Sequence, residues 1–305
     1  MPVAVLDFGT NTFNLLIAEP KHSTFRILYT GKQAVKIGKG GIHKKIISPD
    51  AMERGRKAIA AHMETISKYG ASEIHAYATS AIRNAENGKV FVERIRDEFG
   101  FETNIIDGSR EAELIYKGIR ASVDLQDRIL ILDIGGGSNE FIICDANGIL
   151  WKHSFELGMA RIIEKFSLSD PIKENEIQAL EKYFQDELAI LFENVNRFQP
   201  TVLVGASGTF DTLAAMARSK YNQNTDYGSS SLELKMEHYR VIHQSLLHSN
   251  AEDRLAMPGM EPVRVEMIVP ATIFITFVLK NCELKKLIQS SYALKEGVMA
   301  ELVNQ

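Results

Sequence analysis

The feature that most constrains this chain is a short segment that occurs twice. Residues 3–18, VAVLDFGTNTFNLLIA, lie over residues 129–144, ILILDIGGGSNEFIIC, at a constant offset of 126 without a gap. Leu6 and Leu132, Asp7 and Asp133, and Gly9 and Gly135 are identical, Thr12 and Ser138 both carry a hydroxyl, and β-rich apolar runs flank each small-residue turn. Each copy predicts a β-hairpin with an Asp at the end of its first strand. Walker loops and dinucleotide fingerprints run from a strand into a helix instead, and neither GxxxxGK[ST] nor GxGxxG occurs here. In a Gly-rich hairpin turn the backbone N–H groups can converge on an anion, and missing side chains let a phosphate approach closely. One such turn could be an ordinary hairpin. Two with matched Asp residues predict a phosphate-binding unit used twice.

A chain of 305 residues suits two domains, each able to bury its own core. The expected lobes are residues 1–122 and 123–305, with a C-terminal helix at about 293–305 able to pack back on the first. A net charge of -4 gives no general attraction to nucleic acid or to an anionic membrane, so any anion site must be local. The N-terminus runs directly into the first strand without a signal-peptide pattern. The longest apolar run, Met267 to Leu279, is too short for a bilayer and is interrupted by Pro270, Thr272 and Thr276. A cytoplasmic protein is expected. Cys144 and Cys282 form no CxxC and read as buried thiols, and the histidines form no HExxH.

After the first hairpin the pattern predicts a strand near Phe25 to Thr30 and a helix opened by Ser48-Pro49 and ended before Gly70. A strand around Ile74 to Ala78, a helix from about Lys89 to Phe99, a strand at Thr103 to Ile106 and a helix from Ser109 follow. The second half begins the same way, with strands near 129–134, 139–145 and 148–155, before long helical patterns and a short strand at Thr201 to Val204. This order resembles the ribonuclease H-like fold of actin, Hsp70 and sugar kinases. It implies an α/β protein of two actin-like lobes with the active site in the interdomain cleft.

Several residues could carry chemistry. In the helix after Ser109 the helical period puts Glu111 on one face with Leu114, Ile115 and Gly118, and Glu113 on the other with Arg110, Lys117 and Arg120. Glu113 reads as a solvated partner of Lys117. Glu111, on the packed side, is suited either to hold an attacking water or to offset the helix dipole. Asp133 and Glu140 flank the second Gly-rich turn with hard oxygen ligands of the kind that suit Mg²⁺, and Asp7 could act from the other lobe. The turn Gly205-Ala206-Ser207-Gly208-Thr209, between a strand and a helix, is a third anion candidate. Arg83 offers a planar fork for phosphate, and the segment Gly31 to Lys45, with five lysines and no acid, offers point charges.

Taken together, these residues resemble the exopolyphosphatase and guanosine pentaphosphate phosphohydrolase (Ppx/GppA) family. The markers are DFGTNTFNLLI at 7–17, ATSAIR at 78–83, DGSREAELIYKG at 107–118, LDIGGGSNEFI at 132–142, GASGT at 205–209, MPGMEPVRVEMIVPA at 257–271 and SYALKEGVM at 291–299. The resemblance implies Mg²⁺-dependent hydrolysis, with Mn²⁺ as an alternative, of the terminal phosphate of inorganic polyphosphate or of pppGpp. Carried onto matching positions, Glu111 is the base that activates water, Asp133 and Glu140 organise the metal, and Asp7 assists. Gly9, Thr10, Asn11, Thr12, Gly135, Gly136, Gly137, Ser138, Ser207, Gly208 and Thr209 hold phosphate, and Arg83 binds the chain. A homodimer is implied in the same way. Thr10 and Thr12 stand where the family usually has Ser, Asn139 where Thr is common, and Arg110 replaces a frequent acid. The length is that of a short form lacking the C-terminal HD-like region, which removes the basis for expecting processive action on very long polymers. Two other readings stay open at this point: an actin-like ATPase or kinase, and a non-catalytic sensor of polyphosphate or an alarmone.

Overall fold

The computed structural model describes residues 1–123, 126–221 and 229–304. Gln305, the last residue of the expected C-terminal helix, lies outside them. The chain opens with three antiparallel strands, β1 (Val3–Phe8), β2 (Thr12–Lys21) and β3 (Thr24–Ala34). Then come α1 (Pro49–Lys68), β4 (Glu73–Ala78), α2 (Ser80–Arg83), α3 (Gly88–Phe99), β5 (Thr103–Ile105) and α4 (Gly108–Arg120). A second meander, β6 (Ile129–Ile134), β7 (Asn139–Asp145) and β8 (Gly148–Phe155), leads into α5 (Met159–Phe166), α6 (Glu174–Glu187) and α7 (Ala189–Phe198). The remainder is β9 (Val202–Ala206), α8 (Gly208–Tyr221), β10 (Ser231–Glu233), α9 (Met236–Leu247), α10 (Ala251–Ala256), α11 (Ile268–Asn281), β11 (Lys286–Ser290) and α12 (Leu294–Leu302).

Among the described residues the sheets run β3-β2-β1-β4-β5 and β10-β11-β9-β6-β7-β8. Read from β8, the second repeats the path of the first: a meander whose innermost strand, β1 or β6, pairs in parallel with the next, β4 or β9. The two halves are the α/β lobes of an actin-like fold. The repeat extends to single bonds. Gly9 N donates to Thr12 O at 3.1 Å and Gly135 N to Ser138 O at 3.0 Å, while Asp7 faces Asn14 across one hairpin and Asp133 faces Glu140 across the other. The short strands β10 and β11 carry no pattern strong enough to predict them, and β3 continues four residues beyond Thr30.

Local chemistry sets the helix starts. Ser48 Oγ accepts from Ala51 N at 3.3 Å ahead of Pro49 in α1, and Asp107 Oδ1 accepts from Arg110 N at 2.7 Å, which starts α4 one residue before Ser109. Alternation along β1 sends Val3 and Val5 into the layer between the sheets and Ala4, Leu6 and Phe8 into the outer layer under α1 and α3. The middle layer holds α4 and α12, whose Leu114, Ile115, Ile119, Leu294, Val298 and Met299 meet Ile131, Ile142 and Val204 of the second sheet. These helices cross at Gly118 and Gly297, where a Cβ on Gly297 would enter the Leu114 carbonyl. The apolar run at Met267 to Leu279 forms α11, buried along nearly its whole length, and no helix among the described residues is long and apolar enough to cross a membrane. Cys144 and Cys282 are free and buried, and burial pushes both thiols up to about 12.

Candidate active site

The repeated hairpins aim their turns at each other from opposite walls of a cavity of about 630 Å³. Gly9, Thr10, Asn11 and Thr12 line one wall, and Gly135, Gly136, Gly137 and Ser138 the other. The approach is close. A Cβ on Gly136 would fall on the Asn11 amide, and one on Gly137 on the Thr10 and Ser80 hydroxyls, so glycine keeps this gap open. Ser207 and Gly208 line the cavity at the start of α8, and Ser207 holds the left-handed backbone region at φ 71°. Thr209 follows in the first turn of α8, buried behind the lining.

Asp7, Glu111, Asp133 and Glu140 all face this cavity. Glu111 is held by Arg83, whose Nη1 donates to Glu111 Oε2 at 2.7 Å and to Ile106 O at 3.0 Å. Arg83 itself stands behind Glu111, outside the lining. Burial, then the Glu140 charge, push the Glu111 carboxyl well above its ordinary range, and Arg83 works against them. Glu140 Oε1 accepts from both Ser138 Oγ and Ser154 Oγ at 2.7 Å, yet burial and the Asp133 charge still raise it to about 7. Asp133 is raised to about 6 by burial, with a Ser207 hydrogen bond opposing. Asp7 is raised by burial although Asn14 Nδ2 donates to its Oδ2 at 2.9 Å.

This donor set can be tested against the implied metal. Among the described residues no three His, Cys or carboxylate side chains converge on one point, so there is no protein-only cage. Buried carboxylates that raise one another have a deficit of positive charge. They fit a divalent cation held by one or two carboxylates, with water and phosphate oxygens completing the shell.

The structure also adds residues that sequence reasoning did not single out. Asn14, Asp211, Arg264, Lys295 and Glu296 line the same cavity. Lys295 Nζ lies 2.9 Å from Glu296 Oε1, and Glu296, Asp211 and Asp7 outweigh burial to keep its ammonium raised. Asn14 was detectable, because it takes the place of Glu140 in the repeat. Arg264 and Lys295 lie inside the quoted segments 257–271 and 291–299, but nothing in their spacing aims them at a cleft. One expectation is corrected: Glu113 pairs with Lys152 and Arg110, whereas Lys117 pairs with Glu301. The reason is tertiary, since β8 and α12 bring these partners closer than the helix's own next turn does. In the lysine-rich segment, Lys32 and Lys36 bond to Glu261 and Glu266 at 2.5 and 2.7 Å.

The Ppx/GppA phosphatase family model matches residues 16–305. An exopolyphosphatase of Cytophaga hutchinsonii has the same fold at a TM-score of 0.96 and 37% identity, covering 100% of this chain and 98% of that one. The Aquifex aeolicus member of the family superposes at a TM-score of 0.81 with 24% identity over 100% of this chain and 98% of that one. A bifunctional 3-dehydroquinate synthase/phosphatase of Fusobacterium nucleatum is 32% identical over 292 residues. The match takes in 90% of this chain and 43% of that protein, so the chain spans less than half of that relative's length. With the repeated hairpins, the facing turns and the buried carboxylates between them, the chain belongs to the Ppx/GppA phosphatase family, a family of phosphoanhydride hydrolases.

Proposed function

We propose that the protein removes the terminal phosphate of inorganic polyphosphate, using water activated by Glu111. The observation that carries this reading is the placement of a buried, Arg-held carboxylate on the wall of a cleft whose other walls are two Gly-rich turns. The backbone N–H groups and hydroxyls of residues 9–12, 135–138 and 207–208 would bind the terminal phosphates and orient them in line. Thr209, behind the lining, would support its turn. Arg83 acts on Glu111 as well as on the substrate's charge, opposing the burial and the Glu140 charge that favour the protonated carboxyl. Water held by Glu111 gives up its proton to that carboxylate as its oxygen bonds to the terminal phosphorus. The bridging P–O bond breaks, and the shortened chain leaves with the electron pair. The charge neutralisation that Mg²⁺ or Mn²⁺ supplies when bound would be organised by Asp133 and Glu140, with Asp7 beside them.

The terminal phosphate of pppGpp is the second substrate for the same chemistry. It is favoured by the apolar stretch of the cleft formed by Ile27, Ile115 and Tyr292, which offers a face to a base. Phosphate release from polyphosphates of several lengths and from pppGpp, with Mg²⁺ and with chelator, tests the reading for the wild type and Glu111→Gln. Release that requires both the metal and Glu111 supports it. Binding without release would transfer the assignment to a polyphosphate or alarmone sensor.

A further inference from the structure

The cleft has an unfinished place at its rim. Lys32, on β3, lines the cavity, and its Nζ donates to Glu261 Oε1 at 2.5 Å. Glu261 belongs to the segment between α10 and α11, so this pair ties the first half of the chain to the second. Glu261 Oε2 is buried with no hydrogen-bond partner among the described residues, and so is Nε of Arg264, which is only 8% exposed and also lines the cavity. Of the charges that act on Arg264, Glu261 stands ahead of Asp211 and Asp133. Two groups of opposite sign, three residues apart, thus each keep a buried hydrogen-bonding atom unused, and one of them is paired with Lys32. Buried polar atoms are seldom left in that state unless a ligand or water completes them.

The rim is continuous with the carboxylate cluster. Lys32 faces Asn14 across the β2–β3 pairing, and Asn14 is the residue that holds Asp7. An anion lying along the cleft from the Gly-rich turns would therefore reach Lys32 on the same sheet face. Lys32 and Arg264 line the same cavity, and a lysine with an arginine is a phosphate-binding combination, the one a point charge and the other a fork. A single carboxylate presents one charge and two oxygens to them, whereas the far terminal phosphate of an oligophosphate presents up to two charges and three free oxygens. The Lys32–Glu261 pair is also partly exposed, with 47% and 29% of the two side chains accessible, so solvent screening makes it cheap to exchange.

We infer that Glu261 is a placeholder for a phosphate group and a determinant of chain length. An oligophosphate long enough to reach the rim displaces the Glu261 carboxylate from Lys32 and sets its own oxygens on Lys32 and Arg264, whereas a single phosphate in the Gly-rich turns leaves the pair intact. The inference rests on the polyphosphate reading above. It concerns which ligands that cleft prefers, and binding alone can test it.

The experiment measures dissociation constants of inorganic tripolyphosphate and of orthophosphate by calorimetry, in a Glu111→Gln background so that turnover does not interfere. Glu261→Gln is expected to tighten tripolyphosphate about five-fold or more and to change orthophosphate by less than about two-fold. Lys32→Gln is expected to weaken tripolyphosphate alone, and in its presence Glu261→Gln should lose its gain. A residue that only fastens the segment predicts the opposite sign, since loosening it would weaken both anions. Weaker or unchanged tripolyphosphate binding in Glu261→Gln therefore overturns the placeholder, with a thermal melt confirming that the variant is folded. Failure of the hydrolase reading would show separately, as absence of phosphate release by the wild type.

Discussion

Arg83 Nη1 donates to Glu111 Oε2 at 2.7 Å, and the two side chains keep only 15% and 10% of their surfaces exposed. In a cleft where burial and Glu140 both drive Glu111 toward its protonated form, the Arg83 charge, and after it this bond, act in the other direction. Arg83 thereby sets the pH at which Glu111 can accept a proton. Replacing it by Gln should move the acidic limb of the kcat/KM profile to higher pH by about one unit or more, since the carboxylate then protonates earlier. Lys at this position should restore part of the shift. An acidic limb at the wild-type pH in Arg83→Gln would detach Arg83 from this role.

Glu111→Gln keeps the shape of the side chain and removes the proton acceptor. General-base contributions are typically 10²–10⁴-fold, so kcat should fall by about 100-fold or more while KM for the polyphosphate changes little. A steady-state comparison with wild type at saturating substrate checks this. A fall confined to KM would mean that Glu111 serves in binding.

Asp133 makes the protein's stability depend on pH in a defined direction. Its carboxyl titrates near about 6 when folded and near about 3.9 when unfolded, so between those values the folded state binds more protons. The stabilisation is complete below about pH 4 and is lost as pH rises through 6. At about 1.4 kcal/mol per unit, the charged form costs about 3 kcal/mol at pH 8. Without divalent cations Asp133→Asn should melt above wild type at pH 8, with the gap closing toward pH 4. Thermal melts across that range decide it, and a gap independent of pH would contradict the assignment.

The same excess of buried negative charge predicts a response to divalent cations. Mg²⁺ or Mn²⁺ should raise the melting temperature, and more at pH 8 than at pH 5, because protons compete for the carboxylates. Glu140→Gln should blunt the effect. If millimolar Mg²⁺ leaves the wild-type melt unmoved at pH 8, Asp133 and Glu140 do not hold the ion in the free protein.

Gly297 permits the crossing of α4 and α12. An added methyl would collide with backbone, the Leu114 carbonyl, and not with a side chain that could turn away. Gly297→Ala should cost about 1–3 kcal/mol, visible as a lower urea midpoint at unchanged slope. Since α4 carries Glu111, the activity of the folded variant should fall as well.

The two hairpins, the order of elements in the first half apart from the short α2, the opening meander of the second half, the buried face of α4 and the aspartates at the strand ends were legible in the linear sequence. They depend on local rules: a period of two in strands, 3.6 in helices, and small residues where the backbone must turn or meet an anion. The inward side of Glu111 follows from the same rules, whereas the Asp107 cap starts the helix one residue before the Ser109 expected from the pattern. What the sequence could not contain is which side chains meet across the molecule. The Arg83–Glu111 bond, the Lys152 partner of Glu113, the entry of Arg264 and Lys295 into the cleft and the Lys32–Glu261 pair all join residues far apart in the chain. They exist because two sheets enclose α4 and α12 and leave one gap between their turns. The upward shifts of Asp133 and Glu140 belong to that level too, because desolvation is a property of the closed space around a group and not of its neighbours in sequence.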